Sequence, residues 1–243
     1  MMKSINKSKG FTLIEYMVAI TIGLILLAGV GTFFLGMQKS SQAQNGISEL
    51  QENGRFALYF LTNEIQMAGW KEPDFIIGAS TPNYIDLAGT SDGGAANASD
   101  SLQIRYESDF DCLGNAAAGG IATNRFFVED GQLKCGAGGA SQPIISGVEV
   151  AHFLYGVDTD RDNTPEKYVT ATQLTANPVE ARQVVSVKAI LLLASDTNVA
   201  DTNSAKTFTI LGEGEFTTSN DRKLRKIFST TIFLPNRPKY LGS

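Results

Sequence analysis

The chain has 243 residues, 43% of them hydrophobic, enough to bury a core and to exclude a wholly disordered polymer. Its net charge is −5, and without Lys3, Lys7 and Lys9, which precede the longest apolar run, the remainder carries −8. Overall charge therefore implies no surface for a polyanion, and no specific nucleic acid is expected as a partner. With one histidine, no Gly-rich phosphate loop and no nucleophile elbow, the usual catalytic sites cannot be assembled, so the chain is not expected to be an enzyme.

The first element is "KGFTLIEYMVAITIGLILL" at 9–27. From Tyr16 to Met37 there are 22 residues without a formal charge, and at ~1.5 Å each a helix of that length crosses the ~30 Å hydrocarbon layer. Lysines ahead of the run keep the amino terminus cytoplasmic and send the rest across, so a single-pass inner-membrane topology with a periplasmic carboxy-terminal domain is expected. A cleaved secretory signal is the ordinary alternative, and "LLAGVG" at 26–31 offers it small residues. Against it stand the length of the run, the carboxylate of Glu15 near its start, and its passage into a helical pattern without Pro or a turn cluster. A carboxylate at the centre of a membrane helix costs ~2.5–3.5 kcal/mol and is normally kept by a partner. Near the helix amino terminus the backbone dipole also favours it.

"KGFTLIE" followed by about twenty apolar residues resembles the amino-terminal signature of type IV pilins and of their relatives, the pseudopilins of type II secretion. The resemblance implies that a prepilin peptidase cuts after Gly10 and methylates the new amine on Phe11, and that Glu15 is needed for subunit docking. Glu15 lies four residues beyond Phe11, on the same helix face as that amine. In a membrane bundle it would pair with the amine of a neighbouring subunit and set the axial stagger.

The helix is expected to continue beyond the membrane. Ile47, Leu50, Gly54, Ala57, Leu58, Leu61, Ile65 and Ala68 recur in steps of three and four, with Glu49, Glu52, Arg55, Asn63 and Glu64 at other positions. Gly69 is a plausible stop and Pro73 forbids much continuation. The division that follows is a leader at 1–10, a transmembrane half at 11–38 and a periplasmic domain at 39–243, which includes an amphipathic helix over 39–69.

After residue 70 the period changes. Leu102, Ile104 and Tyr106 alternate as in a strand, and "RFFVEDGQLKC" at 125–135 reads as a hairpin turning at Asp130-Gly131. Further strands are expected at 147–157, 183–193 and 226–234, where branched and aromatic residues gather. Loops of small residues are expected at 87–100 and 113–124. The fold class is therefore α+β, a long amino-terminal helix packed on one face of a mainly antiparallel, pilin-like sheet whose other face meets solvent or partners.

"SELQENGRFALYFLTNEIQMAGW" (48–70), "FLYGVDTDRDNTPEKYV", "VVSVKAILLLAS" and "RKIFSTTIFLPNR" are similar to segments of the PilW family of minor pilins. That resemblance implies a subunit that initiates and assembles a type IV pilus with other minor pilins, the major pilin and a tip adhesin. A minor pseudopilin of type II secretion shares the architecture and is the alternative. A membrane-tethered periplasmic binding protein or enzyme is a third reading, but a simple tether has no use for Glu15.

Cys112 and Cys135, 23 positions apart, are the only cysteines. In an exported domain they read as a disulfide contributing roughly 3 kcal/mol by the loop-entropy model, the alternative being two buried thiols. Zinc is not credible with a single histidine. Asp158, Asp160 and Asp162 in "DTDRDNTPE" resemble the first half of a calcium loop, although Asn163 stands where the sharp-turn Gly belongs and Val169 where the closing Glu belongs. Glu166 offers a later oxygen. The two readings are weak calcium binding, with no other cofactor, and a solvated acidic turn. His152 in its strand is expected to be structural, and Arg222, Lys223, Arg225 and Lys226 a solvated basic face.

Overall fold

The computed structural model describes residues 10, 12–71, 84–93, 98–200, 202–210 and 214–237. Two compact units divide the chain, Met1–Asn45 and Gly46–Ser243. Helix α1, Leu13–Gln66, runs through the first unit into the second. It is long and apolar enough to cross a membrane, and the apolar stretch of its first half is wholly exposed. Phe11 and Pro73 lie outside the described residues, as does the leader before Gly10.

Within the second unit α1 buries Gly46, Leu50, Gly54, Ala57, Leu61 and Ile65, the stripe its periodicity predicts. Ile47 is the exception. It is exposed and Gly46 is buried in its place, against Val199. The helix ends at Gln66, and a turn carries the chain to Gly69, whose φ is +82°. The Gly69 N–H then donates to Arg105 O of the first strand, so the tertiary contact and the left-handed residue stop the helix together.

Strands β1 (Ser101–Glu107), β2 (Ile121–Glu129), β3 (Gln132–Ala137) and β4 (Ala140–Ser146) form one antiparallel sheet in that order. Asp130 and Gly131 turn the β2–β3 hairpin with φ of +53° and +69°, the two left-handed residues that a tight hairpin with the strands' native twist requires. A second antiparallel sheet has the order β10-β7-β5-β6, from β5 (Val148–Val157), β6 (Lys167–Val169), β7 (Val184–Ala194) and β10 (Arg225–Phe233). Between β6 and β7 lie the short helices α2 (Ala171–Ala176) and α3 (Pro178–Ala181). A two-stranded ribbon pairs β8 (Thr207–Ile210) with β9 (Gly214–Thr217).

The core joins α1 to both larger sheets. Leu61 and Ile65 are fully buried with Leu102, Ile104, Phe126, Phe153, Tyr155 and Leu191 in one cluster, and each such aliphatic side chain contributes ~1.5–3 kcal/mol by leaving water. The opposite face of β5 and β7 is not open, contrary to the expectation from sequence. Val150, Leu154, Ile190 and Leu192 pack there under Ile210, Phe208 and Phe216 of the ribbon. That covering explains why β5 and β7 read as nearly continuous apolar runs rather than as alternating ones. The segment 113–124 also departs from a simple loop, since β2 begins at Ile121.

Candidate functional site

The first unit carries the cluster on which the resemblance to pilins rests. Glu15 is the third residue of α1, and its carboxylate accepts from the Thr12 N–H (3.0 Å) and the Thr12 hydroxyl (3.1 Å), while the Glu15 N–H donates to Thr12 Oγ1 (3.3 Å). This is a capping box, in which the side chains of the N-cap and of the third helical residue satisfy each other's backbone donors. The pattern Thr-x-x-Glu at 12–15 is the sequence signal for it. Glu15 therefore starts the membrane-length helix as well as offering a charge at its head. Gly10 lies just ahead, exposed, with open space about its Cα.

In the second unit the loop after β5 brings together Asp158, Asp160, Asp162 and Glu166, one carboxylate oxygen of each lying within 4.8 Å of the others. The buried Asp158 organises the turn. Its two oxygens accept from the N–H groups of Arg161 and Asn163, and Arg237 Nη2 stands 4.0 Å from it while also bonding Asn163 Oδ1. Arg161 and Asn163 adopt φ of +70° and +73°, so Asn163 performs the left-handed turn for which Gly is otherwise used, as Asn tolerates. Glu166 is held toward the loop by the Thr159 N–H and hydroxyl. Asp160, Asp162 and Glu166 are exposed, and they fit a hard cation that prefers oxygen ligands. Asp158 is already committed to the backbone and to Arg237, which removes one full ligand charge from such a site.

Cys112 and Cys135 are joined in a disulfide, with Cα atoms 6.5 Å apart. The loop it closes is tied to α1 by a polar network that sequence patterns do not reveal. Cys112 N–H donates to Asn124 Oδ1 (3.1 Å), Asn124 Nδ2 donates to the Tyr106 hydroxyl (3.0 Å), and that hydroxyl donates to Glu64 Oε2 (3.3 Å). Burial raises the Glu64 carboxyl above the ordinary carboxylate range, with the bonds from Tyr106 and Asn124 opposing. Burial and the Glu64 charge raise the Tyr106 phenol as well.

The basic cluster before β10 is not a uniform solvated face. The Arg225 side chain is buried and binds Glu149 through Nε (2.7 Å) and Nη2 (2.8 Å), and Asp221 through Nη1 and Nη2 (both 2.6 Å). The Arg225 hydrogen bonds hold the Asp221 carboxyl down at about 2. His152 is buried as expected, its Nδ1 3.2 Å from Asp100 Oδ1 but outside hydrogen-bond geometry. Asp100 instead accepts from Gly93 N–H (3.0 Å) and Phe153 N–H (2.8 Å), stitching residues before β1 onto β5.

A capped, membrane-length helix that runs on into a domain of antiparallel sheets defines a type IV pilin-like protein. Two family models match it: the prokaryotic N-terminal methylation motif over residues 5–31, and PilW, the type IV pilus-assembly protein W, over residues 116–236. The chain is thus type IV pilin-like and resembles PilW. Among solved structures, the type IV-like pilin TTHA1219 from Thermus thermophilus is 15% identical, with a TM-score of 0.48 over 77% of this chain and 97% of that one. Comparison with curated proteins gives no match.

Proposed function

We propose that this protein is a minor pilin that helps initiate and assemble a type IV pilus. The observation that carries the reading is the conjunction, in one chain, of Gly10 and Glu15 at the head of a membrane-length helix with a PilW match over 116–236. A prepilin peptidase cuts after Gly10 and methylates Phe11, leaving the helix anchored in the inner membrane and the second unit in the periplasm. Glu15 then exchanges its capping bonds with Thr12 for the terminal amine of a neighbouring subunit. Other minor pilins, the major pilin and a tip adhesin are the partners. The loop 158–166 binds calcium weakly, an assignment supported by its convergent carboxylates.

The test is complementation of a deletion strain with the wild-type gene and with Glu15→Ala and Glu15→Gln. Both variants should insert in the membrane at normal levels and fail to restore surface pili, and the wild-type protein should have lost residues 1–10 and gained one methyl group by intact mass. Full piliation by either variant refutes docking through Glu15. Intact pili with lost protein secretion in the deletion strain would instead identify a minor pseudopilin of type II secretion.

A further inference from the structure

Strand β10 forms one edge of the second sheet and pairs with β7 over nine residues without a register shift. Two flanking hydrogen bonds fix the direction of its backbone groups. Leu234 N–H donates to Val185 O (2.9 Å), and Leu224 O accepts from Ser195 N–H (2.8 Å). Backbone groups of successive residues in an antiparallel pair point alternately toward and away from the partner. The even-numbered residues therefore face β7, and Ile227, Ser229 and Thr231 turn their N–H and C=O groups outward. Among the described residues these outward groups have no backbone partner.

The other edges of the two larger sheets are closed or blunted. Residues 85 and 91 bridge the outer side of β1 at Ile104 and Ser101, β6 has only three residues, and β4 contains Pro143 and a register shift against β3. By contrast, β10 has no proline, and Lys226, Ser229 and Thr231 are exposed along it. Phe228 and the exposed Phe233 sit on opposite faces of the strand, so an added strand would find apolar contact on both. An open, regular edge of this kind is a template for main-chain pairing with another chain.

Charge narrows the occupant. Lys226 Nζ rests 5.3 Å above the Phe228 ring and, among the described residues, makes no ion pair. Glu149 and Asp221, the carboxylates bound beside this end of the strand, are both taken by Arg225. Pairing with β10 of a second copy would bring no relief, because Arg225–Phe233 contains no acidic residue.

We propose that the open edge of β10 is a strand-addition site for an extended segment of a different protein, antiparallel to Arg225–Phe233 and carrying a carboxylate that meets Lys226. The inference stands whether the assembly served is a pilus or a secretion filament. It is tested with a photoreactive amino acid placed singly at Ser229, Thr231 and Phe233 of the full chain in producing cells. The expected adducts join all three positions to one segment of one other protein, in descending order along it and two residues apart, with Asp or Glu opposite Lys226. Ser229→Pro removes an outward N–H and leaves the β7 ladder whole, so with the photoreactive group at Thr231 it should abolish the adduct while the disulfide still forms. Lys226→Glu, which touches no backbone bond, should lower the yield about two- to fivefold, the range of an exposed ion pair. Adducts to a second copy of this chain, adducts scattered over unrelated segments, no adduct, or a yield indifferent to Lys226→Glu would each overturn the proposal.

Discussion

Replacing Gly54 by alanine tests how α1 is seated on the second sheet. A Cβ at this buried position would lie 2.5 Å from both Cε1 and Cζ of Phe228 and 2.6 Å from Cδ1. Carbon atoms in good contact sit ~3.5–4.0 Å apart, so the ring or the helix must yield by about 1 Å. Overpacking of this kind costs ~1–3 kcal/mol, and alanine returns ~1 kcal/mol of helix propensity. The net expectation is a loss of ~1 kcal/mol, or ~2–4 °C in the melting temperature of a domain of this size. The assay is thermal unfolding of the full chain in detergent followed by fluorescence of Trp70, the single tryptophan, which lies just beyond α1. Phe228→Leu removes the outer ring atoms, and in that background Gly54→Ala should become neutral or stabilising. A higher melting temperature for Gly54→Ala in the otherwise native chain would refute the reasoning, since it would mean that the ring moves aside at no cost.

Two further outcomes are expected. Because the folded protein raises the Glu64 carboxyl, the protonated form contributes stability that is fully present below the unfolded value of ~4.3 and is lost as pH rises through the folded one. Glu64→Gln should therefore match the parent near pH 4 and melt higher at pH 7, and equal melting at both would show that burial does not penalise this charge. In millimolar calcium the full chain should melt higher than in chelator, with Kd on the order of 10⁻⁴–10⁻³ M and a smaller effect of magnesium. Asp160→Ala with Asp162→Ala should remove the difference, and identical melting of the parent in calcium and chelator would leave 158–166 as a turn held by Asp158.

Much of this protein is written in short-range patterns. The uncharged run from Tyr16 to Met37, the three-and-four spacing of Leu50 to Ile65 and the Asp130-Gly131 turn each declare an element, because a helix period, a strand period and a tight turn are set by residues within a few positions of one another. Two further local signals lie in the sequence. Thr12-x-x-Glu15 announces the cap of α1, and Thr170-x-x-Gln173 announces that of α2, where both bonds of a capping box are formed. The disulfide partners need no geometry to be named, being the only two cysteines in the sequence.

What the tertiary structure alone decided are the long-range partners. Nothing near Gly54 in the chain foretells the ring of Phe228, and nothing near Arg225 foretells Glu149, 76 positions away. A basic run looks solvated until a distant carboxylate desolvates one member of it. The closing of the second sheet's far face by β8 and β9 was hidden for the same reason. Four-residue strands leave only a faint period, and their role depends on which apolar surface they meet. The open edge of β10 is the converse case. Its sequence reads like that of any strand, and only the order of strands in the sheet reveals that one side of it lacks a partner among the described residues. Period, turn and cap are energies of neighbours along the chain, whereas burial, ion pairing and edge exposure are energies of neighbours in space, which exist only once the chain has folded.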